Sequence, residues 1–138
     1  MSLPPVFIDH IDLRVSSLTR ATSFYDAVLG ALGMRRVNES SDPAEDEWIG
    51  WGYTVQDDGP TPQPFFGIQE EPGHRGGANR IAFAASSRQH VDRVAATALA
   101  AGALAMEGPE LCTDYGPTYY AAFFEDADGN KLEVCCRF

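Results

Sequence analysis

The chain repeats itself. Residues 11–17 read Ile-Asp-Leu-Arg-Val-Ser-Ser, and residues 81–87 read Ile-Ala-Phe-Ala-Ala-Ser-Ser. Both segments alternate apolar residues with a period of two, as a half-buried strand does, and both end in serines suited to capping a helix. Ser86 with Gln89 also fits a capping box. A helical stripe follows each pair: Leu18, Ala21, Phe24, Tyr25, Val28 and Leu29 in the first, Val91, Val94, Ala95, Ala98 and Leu99 in the second. Gly33 and Gly102 then stand where helix C-termini favour a left-handed residue. The offset is 70 residues at the strands and 69 at these glycines.

Strand-like segments complete each unit, at residues 34–38, 48–55 and 65–69 in the first and 103–107, 119–125 and 131–136 in the second. Each half therefore reads βαβββ. Asp128-Gly129 joins the last two strands as a tight hairpin. Residues 39–47 read as an acidic, solvated connection and residues 57–64 as a second break. Residues 70–79, with Gly73, Gly76 and Gly77, read as the linker between modules of about 6–70 and 78–137. Within that linker, Gly73-His74-Arg75-Gly76-Gly77 is glycine-rich, but no helix follows it to cradle a phosphate.

Composition narrows the functional classes. A length of 138 residues suits a single domain. Ten Lys and Arg against 20 Asp and Glu leave a net charge of -10, which argues against a nucleic-acid surface and against an anionic membrane. No stretch is long and apolar enough for a transmembrane helix, and residues 1–7 show no basic, cleavable leader. Cys112, Cys135 and Cys136 form no C-x-x-C pattern and read as reduced thiols, so the expected location is the cytoplasm.

The doubled module resembles the vicinal oxygen chelate superfamily, which includes glyoxalase I, the bleomycin and fosfomycin resistance proteins and the extradiol dioxygenases. The stretches that carry the resemblance are His10-Ile11-Asp12-Leu13-Arg14-Val15, residues 24–30 (FYDAVLG), residues 80–83 (RIAF) and residues 115–133, from Tyr115 to Glu133. The resemblance implies an α+β fold. Two βαβββ modules would form a curved, eight-stranded mixed sheet, a glyoxalase-like half-barrel with its helices outside. It also implies a homodimer and a cup-shaped small-molecule site. In metal-dependent members, four positions on the cup floor hold a divalent ion such as Zn, Ni, Mn or Fe, which binds vicinal substrate oxygens as a Lewis acid.

Carried through the repeat, those positions fall at His10, Gly67, Arg80 and Glu133. His10 and Glu133 can ligate and are the candidate catalytic and metal residues. Arg80 keeps its proton and offers no lone pair, and Gly67 has no side chain. Asp12 and Gln69 share faces with His10 and Gly67 and are the nearest substitutes. The same residues allow a second arrangement, in which Arg80 pairs with Glu133 in place of an ion.

Arg14, on the face of His10, and Arg80 are expected on an anionic substrate group. Alternation admits only one of Tyr119 and Tyr120 to the cup. Tyr120 is assigned there, together with Trp51 and Tyr115, as substrate-binding aromatics. Cys135 shares the face of Glu133, and His74 and His90 are read as surface residues, His90 on the polar face of its helix. The expected function is a small-molecule enzyme of the glyoxalase (lactoylglutathione lyase-like) or dioxygenase type. The competing reading is a metal-free, drug-sequestering binder of the bleomycin-resistance type.

Overall fold

The computed structural model describes residues 8–37, 50–55 and 64–138. The acidic connection at 39–47, the break at 57–63, Trp48 and residues 1–7 lie outside the described residues. The strands are β1 (His10–Val15), β2 (Arg35–Val37), β3 (Gly50–Thr54), β4 (Phe65–Glu70), β5 (Arg80–Ala84), β6 (Leu104–Leu111), β7 (Tyr120–Glu125) and β8 (Lys131–Cys136). The helices are α1 (Leu18–Ala31) and α2 (Arg88–Ala100).

The eight strands divide into two four-stranded mixed sheets of identical plan, β1-β4-β3-β2 and β5-β8-β7-β6. In each, the first and fourth strands of the module run parallel and the remaining pairs are antiparallel. The fold is α+β.

Both helices begin on the second serine of their pair. Ser17 accepts from the Arg20 N–H and Ser87 from the His90 N–H. Ser86 is therefore not the cap, and the expected Ser86–Gln89 box does not form. The Ser86 N–H instead donates to Nδ1 of His90 at 3.1 Å. With Nδ1 accepting, His90 carries its proton on Nε2 and donates to the Ala31 carbonyl at 2.7 Å. A residue read as surface thus ties the start of α2 to the end of α1. Gly33 and Gly102 adopt φ of +89° and +99° just past the helices, as expected.

One core serves both modules. Ile11, Leu13 and Val15 of β1, Phe66 and Ile68 of β4, Phe83 of β5 and Leu132 and Val134 of β8 pack with the apolar faces of α1 and α2. Aromatic contacts cross the boundary, with ring centroids 5.2 Å apart for Phe66–Phe83 and 6.4 Å for Phe24–Phe124.

A polar seam fixes the modules further. The β7–β8 turn carries buried Asp126, which accepts from the Tyr25 hydroxyl at 2.6 Å and from the Asn130 and Asp128 N–H groups. Asp128 accepts from the N–H and hydroxyl of Ser16, and Asn130 donates to the Arg14 carbonyl. Because the Asn130 amide nitrogen is committed to donors' work, its oxygen accepts from Nε2 of His74, the second histidine read as surface. The residue 70–79 linker is held to the same turn where Gly76 N–H donates to the Asp128 carbonyl at 2.8 Å. A side chain at Gly76 has no room, since its Cβ would lie 2.2 Å from the Gly129 carbonyl oxygen.

Candidate functional site

Strand alternation places the expected site residues. The core takes the odd-numbered residues of β1, so His10, Asp12 and Arg14 project from the opposite face. That face is called the floor below. On β4 the core takes Phe66 and Ile68, and Phe65, Gly67 and Gln69 lie on the floor. The parallel register sets His10 beside Phe65, Asp12 beside Gly67 and Arg14 beside Gln69. In the second module, Arg80 lies beside Lys131 and Ala82 beside Glu133. Gly67 and Glu133 thus hold equivalent places in the two sheets, as the repeat predicts.

The first floor is bare. Gly52 pairs with Gly67 and Gly50 with Gln69, so three buried glycines contribute no side chain to this face. A Cβ at Gly67 would meet Oδ1 of Asp12 at 2.7 Å, so the Asp12 carboxylate overhangs that position. His10 stacks on Phe65 with ring centroids 4.7 Å apart and planes 7° from parallel. Its Nδ1 lies 2.8 Å from Asp9 and its Nε2 3.8 Å from Asp12.

The second floor is filled. Tyr119, Ala121 and Phe123 form a small buried cluster of their own, with Cys112 and Cys135 packed against it. Glu133 is 7% exposed, and the Tyr119 hydroxyl donates to its Oε2. Burial, and then hydrogen bonds to Cys135 and Glu133, push the Tyr119 phenol well above its ordinary range, so it stays a donor. Burial likewise raises the Cys135 and Cys112 thiols, which makes them poor nucleophiles.

Several expectations are corrected here. Arg80 does not pair with Glu133. Its guanidinium sits 4.8 Å from the centre of the Phe123 ring. Because β8 lies between β5 and β7, Arg80 reaches that ring only by crossing the floor of β8, where Glu133 projects. Tyr120 lies on the core face, where its hydroxyl donates to Asp92 of α2 and the Arg88 guanidinium lies over its ring. Tyr119 takes the floor position instead. Trp51 is also on the core face, paired with Ile68 and covered by Arg36 at 4.5 Å. Tyr115 does belong with the second floor, 64% exposed and 5.4 Å from Tyr119 between ring centres.

The sequence also hides two floor carboxylates. β6 runs on past the expected residue 107 to Leu111 and carries two register shifts, so that Glu107 pairs with Phe123 and Glu110 with Ala121. Each shift inserts one residue, which turns side chains three apart onto the same face. Gly108 at φ +78° accommodates the distortion, and Pro109 is tolerated beside it. Arg80, Glu107, Glu110, Cys112, Tyr115 and Phe123 border an open cavity of about 310 Å³ on this floor.

The residues fit a divalent ion poorly. At the four positions the chain offers an imidazole, a bare glycine, a guanidinium and a carboxylate already accepting from a phenol. Among the described residues, no three His, Cys, Asp or Glu side chains converge as a metal site. His10 and Asp12 belong to one sheet and Glu133 to the other, and both floors face away from the core that the sheets share.

Residues 7–134 match the family described as the Glyoxalase/Bleomycin resistance protein/Dioxygenase superfamily. The chain belongs to that superfamily. Among solved structures, it is similar to a glyoxalase/bleomycin resistance protein from Albidiferax ferrireducens, at 29% identity and a TM-score of 0.73, over 96% of this chain and 100% of that one. A glyoxylase/bleomycin resistance protein/dioxygenase domain from Frankia shares the fold at 20% identity and a TM-score of 0.70, covering 99% and 100% of the two chains. The fosfomycin resistance protein FosX from Listeria monocytogenes does so at 17% identity and a TM-score of 0.66, covering 96% and 94%. No protein of curated function matches the chain. Among the described residues, no helix is long and apolar enough to cross a membrane.

Proposed function

We propose that this member of the superfamily is a small-molecule binding protein that works without a bound metal. The observation that carries this reading is the state of the second floor. Glu133 already accepts a hydrogen bond from Tyr119, and the neighbouring position that would complete a ligand set is the permanently charged Arg80. A fixed cation on the same floor opposes a second, divalent one. The single-chain floors are each half of a cup. We therefore place the ligand between the first floor of one copy and the second floor of another, in a homodimer. Arg14 and His10 would line one wall, Tyr115, Tyr119 and Phe123 the other. The three unpaired thiols suit a reducing, cytoplasmic setting.

Elemental analysis of protein purified without chelator tests this. The expected content of Zn, Ni, Mn and Fe is far below one per chain and is unchanged by His10→Ala. Metal near one per chain, lost in His10→Ala, overturns the reading. Light scattering on the same sample is expected to report a dimer.

One observation favours the enzyme reading, a lyase, isomerase or dioxygenase. Asp12 sits near His10 and fills the space above Gly67, so a carboxylate stands where residue 67 would have carried one. The same metal measurement separates the two readings.

A further inference from the structure

Acids and bases are treated differently where the two modules join. Around the first turn of α1, the residue 70–79 linker and the β7–β8 turn, each carboxylate meets a group of the chain. Both oxygens of Asp128 are taken by Ser16, one by its N–H at 2.7 Å and the other by its hydroxyl. Glu70 accepts from the Leu18 N–H at 3.0 Å, Glu71 faces Nδ1 of His74 at 3.6 Å, and Asp126 is buried among its donors. Two guanidinium groups at the same junction have no such partner. Arg20 and Arg75 are exposed, and among the described residues neither pairs with a carboxylate or lies over a ring. In a chain with 20 Asp and Glu against ten Lys and Arg, composition favours the reverse.

Both arginines border one cleft of about 430 Å³, together with Ser16, Gly73, His74 and Asp128. Its frame is fixed. Nη2 of Arg20 lies 3.4 Å from the Ser16 hydroxyl oxygen, within reach to donate to it. Arg75 stands between His74, whose Nε2 donates to Asn130, and Gly76, whose N–H donates to the Asp128 carbonyl. Gly76 also lies too close to Gly129 to admit a side chain. The backbone on either side of Arg75 is therefore held, while its guanidinium stays available.

The groups left over select a ligand. The oxygens of Asp128 are already engaged, and two permanent cations border the space, so a cationic ligand is disfavoured. What the cleft still offers is forked N–H donors, which match the oxygens of a carboxylate or a phosphate group. We infer that this cleft is a second small-molecule site, for an oxyanion group held between Arg20 and Arg75. None of its bordering residues stands on either floor, so it is separate from the proposed cup and independent of whether that cup holds a metal. An anion bound there bridges α1 to the linker, next to the Ser16–Asp128 bond that already ties the modules.

The isotope-labelled, full-length protein is titrated with inorganic phosphate and, separately, with acetate, at an ionic strength held constant with sodium chloride. The Nε–H signals of Arg20 and Arg75 are followed by NMR and are expected to move together along one saturation curve. Saturation by phosphate alone identifies a phosphoryl group as the ligand chemistry, and by acetate alone a carboxylate; either supports the site. Arg20→Ala and Arg75→Ala, both at exposed positions, are each expected to weaken the bound anion about tenfold, as loss of a charge-assisted fork does. Arg75→Lys keeps the charge without the fork and is expected to recover only part of that loss.

The absence of saturation by either anion up to about 50 mM overturns the inference. So does an affinity unchanged in both alanine variants, or a titration that moves Arg14 and Arg80 in place of Arg20 and Arg75.

Discussion

The two modules share a plan and differ in what stands on their floors. In the first, Gly50, Gly52 and Gly67 contribute no side chain, and His10 and Asp12 stay partly exposed. In the second, Tyr119, Ala121 and Phe123 fill the equivalent face and bury Glu133. The equivalent positions 67 and 133 show the contrast most directly. One has no side chain, and the other holds the most buried carboxylate facing a cup. A repeat of secondary structure therefore does not imply a repeat of chemistry. The core faces of the two sheets stay alike because the helices must pack on them, whereas the floors are free to diverge.

The comparison can be broken by cutting one aromatic from each floor. Phe123→Ala should destabilise the protein by about 3 kcal/mol, as loss of a buried ring does. Phe65→Ala, on the bare floor, should cost about 1 kcal/mol or less, since the ring is only partly buried and its stacking partner His10 is exposed. Urea midpoints at constant m-value measure both. Equal losses would mean that the two floors are packed alike.

The carboxylates should follow the same order. Glu133→Ala strands the Tyr119 hydroxyl and should cost about 1–3 kcal/mol, whereas Asp12→Ala should stay within about 0.5 kcal/mol. Adding Tyr119→Phe to Glu133→Ala should recover part of the loss, because both partners of the hydrogen bond are then gone. An additive pair would show that the bond contributes nothing.

Alkaline pH probes the same bond. The Tyr119 phenol is held protonated in the fold, while in the unfolded chain it ionises near an ordinary value of about 10. Its contribution to stability is therefore whole below pH 10 and is lost as pH rises from there toward the raised folded value. Tyr25 and Tyr53 behave alike, because burial and their acceptors Asp126 and Asp26 raise them too. Melting temperatures should fall between pH 9 and 11. Tyr119→Phe should make that fall shallower without removing it.

A small effect is also expected at Gly67. Gly67→Ala places a methyl group against Oδ1 of Asp12, the end of an exposed side chain that can swing away. The cost should stay below about 1 kcal/mol, and Asp12→Ala should reduce it in a double-mutant cycle, leaving the contact with Phe65. By contrast, Gly76→Ala meets the backbone of Gly129 and has no such escape.

Most of the fold is legible in the chain. The serine pairs, the helical stripes, the glycines that end the helices and the Asp128-Gly129 turn are local signals, each visible within a few residues. The repeat then orders them into two equal modules. His10, Gly67, Arg80 and Glu133 are legible as floor positions for the same reason, since alternation along a strand decides which side a residue faces.

What tertiary structure alone decides is which neighbours those residues meet. Tyr119 and Tyr120 are equally apolar, and both faces of β7 are buried, so alternation carries no preference between them. Pairing with β8 settles the matter by setting Phe123 beside Glu133 and turning Tyr120 toward α2. Trp51 goes to the core for a like reason, drawn to the face where Ile68 packs. Glu107 and Glu110 reach the floor only because two bulges change the period of β6, and a bulge leaves no periodic signal. The sequence by itself determines two βαβββ modules and the side of the sheet on which each strand residue stands, because these depend on local periodicity. The partner of Glu133, the resting place of Arg80 and the Asp12 carboxylate over Gly67 depend on contacts between strands far apart in the chain, and only the packed structure decides them.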